Sequence, residues 1–448
     1  MPSTSSLKTV VIRGARILRQ GSLQDADVKI VGGRIAAIES SLPAEGDEII
    51  AAKGLVVMPG VIDPQVHFRD PGMTWKEDLQ TGSQAAAAGG VTSFLEMPNT
   101  KPAITTAALM AAKKAVAAEK CVVNWNFFIG ATPNNLEEIL NTPNVCGIKI
   151  FMGSSTGDLL VHRTEDIERI FANGHRLIAV HAEDEEAISA NKAAIGTPKH
   201  ILDHNRIRTP EVALKATRLA VGLSQKYGRR LHILHVTTAE EAAFLATAKI
   251  GFPITAEVCP QHFVFSVPEV YERLGTYGQM NPPIREKRHS EALWQALKDG
   301  VFDCLATDHA PHTREEKDQG YPASPSGMPG VESLLPVMLD RVNQGLCSLP
   351  DLARWMCEGP AAAYGLKGKG RIEAGYDGDF VLVDMARKRT LENGKLFTKV
   401  NWSPFAGIPM QGVPVRTLVH GETVFADGAL VPGALGRELV IDAPWDKR

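Results

Sequence analysis

Five side chains able to bind a metal or move a proton fall in or at the ends of short apolar segments: His67, Lys149, His181, His235 and Asp308. The first lies in "DPQVHFRDPG", residues 63–72. On a strand, positions 65 and 67 project from the same side, because side chains alternate with a period of two. A His-x-His pair there would be a metal clamp, but this chain carries Gln65-x-His67. A lone strand-end histidine is more often a satisfied structural residue. Five metal-compatible side chains converging from five strands point instead to a hydrolytic metal centre, because independent structural accidents would not choose such residues at so many strand ends. Lys149 has two readings. It is either a buried lysine paired with a carboxylate, or an amine kept neutral by burial and nearby cations. A neutral amine can take up CO2 as a carbamate, whose two oxygens can bridge two metal ions.

The elements that must position these groups are read from periodicity. Eight short apolar runs succeed one another from "GVIDPQVHF" through "GVTSFLEM", "CVVNWNFFIG", "VCGIKIFMG", "HRLIAVHAE", "RLHILHVTT" and "FPITAEVC" to "FDCLATDHA". Between most of them lie helical patterns such as "AITTAALMAAKKAVAAEK" and "PEVALKATRLAVGLSQKYG". Continuously apolar strands alternating with helices predict a parallel sheet covered on both faces, and eight units fit a (β/α)8 barrel. Strand C-termini converge at one end of such a barrel, where active sites form. Two connections are long: a helix-poor stretch around 263–288 and the Gly/Pro-rich "GYPASPSGMPG" at 320–330. Both belong at the same end. The two ends of the chain are β-rich, with a hairpin turn at Val31-Gly-Gly-Arg34. Neither end has enough strands to bury a core alone, so residues 1–58 and 366–448 are expected to form one composite β-sandwich beside a barrel of residues 59–365.

Composition narrows the class. The 448 residues carry a formal net charge of -3 and no basic tail, which gives no support for nucleic-acid binding. No apolar run approaches the roughly 20 residues that span a bilayer. The N-terminus lacks the charged start, apolar core and cleavage site of a signal peptide. The six cysteines form no C-x-x-C pair and read as buried free thiols, so a cytoplasmic enzyme is expected.

Taken in order, "HFRDPG", "GGVTSFLEMPNT", "KIFMGSSTG", "VHAEDE", "LHILHVTT", "NPPIR" and "ATDHAPH" resemble the cyclic amidohydrolases, and within them the dihydroorotases. The resemblance extends to "PGVID" and "GRIEAGYDGDFVLVD" and so covers nearly the whole chain. It implies one or two Zn2+ per chain. His67 and Asp308 would hold the more buried ion, His181 and His235 the more exposed one, and carboxylated Lys149 would bridge them. It implies Asp308 as general acid/base in the reversible cyclisation of N-carbamoyl-L-aspartate to L-dihydroorotate. Arg69, Asn99, Asn281 and His312 would contact this carboxylated small-molecule substrate. A homo-oligomer, dimer or tetramer, and aspartate transcarbamoylase as partner belong to the same expectation. The bland alternatives are a surface salt bridge of Arg69 with Asp70 or Glu77, a turn-capping Asn99 and a solvent-facing His312.

Two departures keep other readings open. Gln65 is either a weak neutral ligand or no ligand, which suggests a catalytically silent structural homologue as one alternative. "EVCPQHF" at 257–263 leans toward hydantoinases, so dihydropyrimidinase or allantoinase activity is another.

Overall fold

The computed structural model describes residues 7–154 and 159–441; residues 155–157 of the "KIFMGSSTG" motif lie outside them. Eight parallel strands follow one another in sequence order: Val61–Val66, Val91–Glu96, Asn124–Gly130, Gly147–Phe151, Ile178–His181, Leu231–Ile233, Ile254–Val258 and Cys304–Leu305. Every side chain of the first four is buried, as expected of strands packed on both faces. The circle closes where Val66 bridges His309 in parallel register and the His67 N–H donates to the His309 carbonyl at 2.7 Å. Helices Ala107–Lys120, Pro210–Tyr227 and Ala239–Ala248 form where the periodicity placed them.

The stretch around 263–288 departs from expectation. It is not helix-poor, because Glu269–Leu274 is helical and runs into a 3-10 turn at Gly275–Gly278. Its helical residues are too few to show a clear 3.6-residue period, which is why the pattern was missed. Residues 320–330, by contrast, carry neither helix nor strand beyond a bridge of Met328 to His309.

Both chain ends contribute to one nine-stranded sheet. Thr9–Arg19, Ser22–Val31, Arg34–Glu39, Glu48–Ala51 and Val56–Pro59 come from the first part of the chain. Phe380–Thr390, Pro409–Val419, Glu422–Ala426 and Ala429–Leu430 come from the last. The join is antiparallel, with Phe380 opposite Pro59 and Val383 opposite Val56. Gly32 and Gly33 take φ of 59° and 85°, the left-handed pair a two-residue hairpin turn requires. Val10, Ile12, Val28 and Ile30 from one end share a core with Phe380, Leu382 and Leu418 from the other. Neither set forms that core alone. Among the described residues no helix is long and apolar enough to cross a membrane.

Because Phe380 is fully buried in the shared core, Phe380→Ala is expected to cost about 3–5 kcal/mol. The midpoint of urea unfolding followed by circular dichroism checks this; an unchanged midpoint would show that the two ends do not stabilise each other.

Candidate metal and substrate site

The barrel seam brings the first pair of groups together. Asp63, inside the first barrel strand, accepts from the Thr307 N–H at 3.1 Å, the Thr307 hydroxyl at 2.5 Å and the Gln65 N–H at 3.3 Å. Asp308 is thereby set against the end of the first strand. His67 Nε2 lies 3.0 Å from Asp308 Oδ1, and the Gln65 amide donates to the same oxygen at 3.0 Å. Positions 65 and 67 therefore do project to one side. Gln65 Oε1 is buried without a hydrogen-bond partner.

A second pair forms at the fifth and sixth strands. His181 ends its strand, and His235 stands two residues beyond Leu231–Ile233. Their rings meet edge to face, with His181 Nδ1 3.1 Å from His235 Nε2. Lys149 lies in the middle of the fourth strand, 1% exposed, and its Nζ has no hydrogen-bond partner. It sits 4.4 Å from the centre of the Phe151 ring. Burial lowers its pKa to about 7, despite the nearby Asp308 and Glu257 charges. Arg69, His235 and Asp308 all have positive φ, at 65°, 34° and 48°. Such backbone costs on the order of 1–3 kcal/mol per residue and persists where the surroundings impose it.

The donor set suits divalent cations. His67 stands between two oxygens, with Asn99 Oδ1 2.7 Å from its Nδ1 and Asp308 Oδ1 3.0 Å from its Nε2. Burial lowers the pKa of this imidazole, while contact with His67 holds Asp308 below the usual carboxylate range against its own burial. Glu183 accepts from His181 Nε2 at 2.8 Å, which leaves the Nδ1 lone pair facing His235. His67 with Asp308 and His181 with His235 are thus two pairs of groups able to bind a cation, and Lys149 offers an unpartnered buried amine.

Next to these groups is a small pocket lined by His67, Arg69, Asn99, Asn281, Asp308, Ser326 and Gly327. Arg69 is only 1% exposed; its Nε donates to the Pro311 carbonyl at 3.3 Å, and burial lowers its pKa to about 10. The alternative pairing with Asp70 is not made, since that carboxylate faces Lys120 at 3.3 Å. His312 does not reach solvent, nor does it line the cavity. Lys76 Nζ stands 3.0 Å from its Nδ1, and its Nε2 donates to the Ser326 carbonyl at 3.1 Å, so it supports the wall from behind. Lys317, also buried, donates to the carbonyls of Gln279, Pro325 and Gly327 and pins the same loop.

Several positioning groups escaped the sequence reading. Asp63 reads as one more strand residue, and Glu183 as the start of an acidic helix cap, although its place two residues after His181 was a signal. A further cluster was also missed: ligand atoms of His232, Glu257 and Cys304 lie within 4.8 Å of one another inside the barrel. His232 is hydrogen-bonded at both nitrogens, to Thr255 at 2.7 Å and Glu257 at 3.0 Å, so it forms a satisfied polar plug.

Lys149 gives the metal-free protein a signed pH dependence. Its folded pKa is depressed, so the unfolded chain binds more protons between about pH 7 and 10.5, and stability rises with pH across that window. Lys149→Met should therefore stabilise metal-free protein most at or below pH 7, with the gain vanishing near pH 10.5. Urea unfolding at the two pH values checks this; an equal gain at both would show that the amine is not depressed.

A family model, the amidohydrolase family, matches residues 56–424. A dihydroorotase of Methanosarcina mazei is 35% identical over 434 residues, covering 94% of each chain. An allantoinase of Streptomyces avermitilis is 32% identical over 432 residues, covering 94% of this chain and 96% of its own. Among solved structures, an L-hydantoinase (dihydropyrimidinase) from Arthrobacter aurescens superposes with a TM-score of 0.93 at 29% identity, over 97% of this chain and all of that one. With its eight-stranded barrel and composite sheet, the chain belongs to the amidohydrolase family and is a cyclic amidohydrolase.

Proposed function

We propose that the chain is a dihydroorotase, interconverting N-carbamoyl-L-aspartate and L-dihydroorotate in de novo pyrimidine synthesis. The observation that carries this is the buried Arg69 guanidinium in the wall of the cavity that also presents His67 and Asp308. A planar donor fork at that depth suits a carboxylate held beside a hydrolysable ring amide. Asn99 lies on the same wall and joins Arg69 in holding the carboxylate. Asn281 Oδ1 is buried without a partner and is an acceptor for a ring N–H.

His67, Asp308, His181, His235 and carboxylated Lys149 would hold the zinc, with Gln65 at most a weak neutral ligand through Oε1. Divalent cations bound there supply a water acidified toward neutrality and polarise an amide carbonyl. Asp308 accepts the proton of the attacking water and returns it to the ring nitrogen as the amide opens; ring closure runs the same transfers backward. Arg69 and Asn99 fix the carboxylate so that the scissile amide lies at Asp308. The buried wall, pinned by Lys317 and backed by His312, keeps bulk water from the charged groups.

A second reading, hydantoinase or allantoinase, is favoured by the hydantoinase-like structure and the allantoinase relative. Zinc-loaded protein is expected to turn over dihydroorotate and to leave hydantoin, dihydrouracil and allantoin nearly untouched. The opposite order in a direct ring-opening assay would establish the second reading. Arg69→Lys should lower kcat/KM for dihydroorotate about 10–100-fold, as expected when a charge-assisted forked contact of roughly 1.5–3 kcal/mol is lost. Lys149→Ala should be inactive, with activity partly restored by small carboxylic acids that occupy the bridge; full activity without them would rule out the carbamate.

A further inference from the structure

The His181 ring is gripped at Nε2 by a chain of charges. Its Nε2 donates to Glu183 Oε2 at 2.8 Å, and Glu183 is completely buried. The Arg208 guanidinium pairs with that same Glu183 oxygen and donates to the Ser154 carbonyl just past the fourth barrel strand. Arg285 donates to the Arg208 backbone carbonyl. The short helix Asp203–Ile207 then fastens this assembly to the cavity wall. His204 Nε2 donates to the Met280 carbonyl at 2.9 Å, and Asn205 donates to the Ile284 carbonyl at 2.7 Å, on either side of Asn281. The backbone leaves little slack, because a Cβ on Gly153 would stand 2.6 Å from the Glu183 carbonyl oxygen.

We propose that Glu183, held by Arg208, is the positioning residue that fixes the tautomer and tilt of His181, so that its Nδ1 lone pair faces His235 and the cation site. The inference rests on the metal-centre reading given above. An ion-paired carboxylate can only accept, so the ring proton is confined to Nε2 and Nδ1 is left free to ligate. An amide at the same place could donate to Nε2 and release that constraint while keeping the volume of the side chain. Arg208 supplies the countercharge without which a buried carboxylate would not stay ionised.

Glu183→Gln separates orientation from packing. Zinc affinity, measured by chelator competition on the metal-free protein, is expected to fall 10–100-fold at one site per chain, the usual consequence of losing such a partner. The absorption bands of the cobalt-substituted protein should shift, while the circular dichroism of the metal-free protein stays close to the wild type and its melting point falls, because Arg208 is left without its countercharge. Arg208→Lys, which cannot reach both Glu183 and Ser154 as a fork, should give an intermediate loss. If Glu183→Gln does not fold, Glu183→Asp keeps the charge but withdraws it by one methylene, and the same loss is expected. Wild-type affinity and an unchanged cobalt spectrum in the folded variant would overturn the proposal alone. A wild-type protein that takes up no zinc in the same titration would overturn the metal-centre reading, and the proposal with it.

Discussion

The site depends on how the barrel is closed. The eighth strand is only two residues long, Cys304–Leu305, so regular ladder pairing cannot carry the seam by itself. A side chain takes over: Asp63 receives both donors of Thr307 and the Gln65 N–H, while the His67 N–H donates to the His309 carbonyl. Burying a carboxylate is costly, and its pKa is pushed up to about 7 by that burial. The return is geometric. Thr307 and His309 are both tied to the first strand, so Asp308 between them has no freedom to turn away from His67, though the two are 241 residues apart in the chain.

The barrel also holds a number of unmet polar groups. Gln65 Oε1, Lys149 Nζ, Glu183 Oε1, His235 Nδ1, both nitrogens of His262 and Asn281 Oδ1 are all buried without hydrogen-bond partners. Each such atom carries a desolvation cost of about 1–3 kcal/mol. Together with the left-handed backbone at Arg69, His235 and Asp308, these atoms mark a place where local stability has been given up for chemistry. The surrounding apolar core, continuous from Val61 through Phe94, Ile148, Val180 and Leu305, supplies the rigidity that such a site needs.

Much of this was legible in the chain. Parallel strands buried on both faces leave continuous apolar runs, so the order and number of barrel strands could be read directly, and with them which strands carry His67, Lys149, His181, His235 and Asp308. The composite sheet was legible because each terminal portion alternates like a strand yet is too short to be self-sufficient. What escaped were interactions with no local signature. Nothing near Asp63 says that its partner is Thr307, and nothing near Arg208 says that it meets Glu183. The position of His312 behind the wall depends on Lys76 and Ser326, which come from two different loops. The helix at Glu269–Leu274 is stabilised by its docking, through Tyr271 and the Asn205 side chain among others, and not by a strong periodic pattern of its own.

The split sheet also sets an order in time. Val56–Pro59 leaves the ribosome early, but the strand that covers its open edge, Phe380–Thr390, is made roughly 320 residues later. At about 5–20 residues per second the interval is on the order of tens of seconds. During it an apolar strand edge stands unpaired, the kind of surface that recruits other chains. All eight barrel strands are synthesised within that interval. That edge is therefore left open for longer than the synthesis of the whole barrel takes, and it is covered only when Phe380–Thr390 arrives.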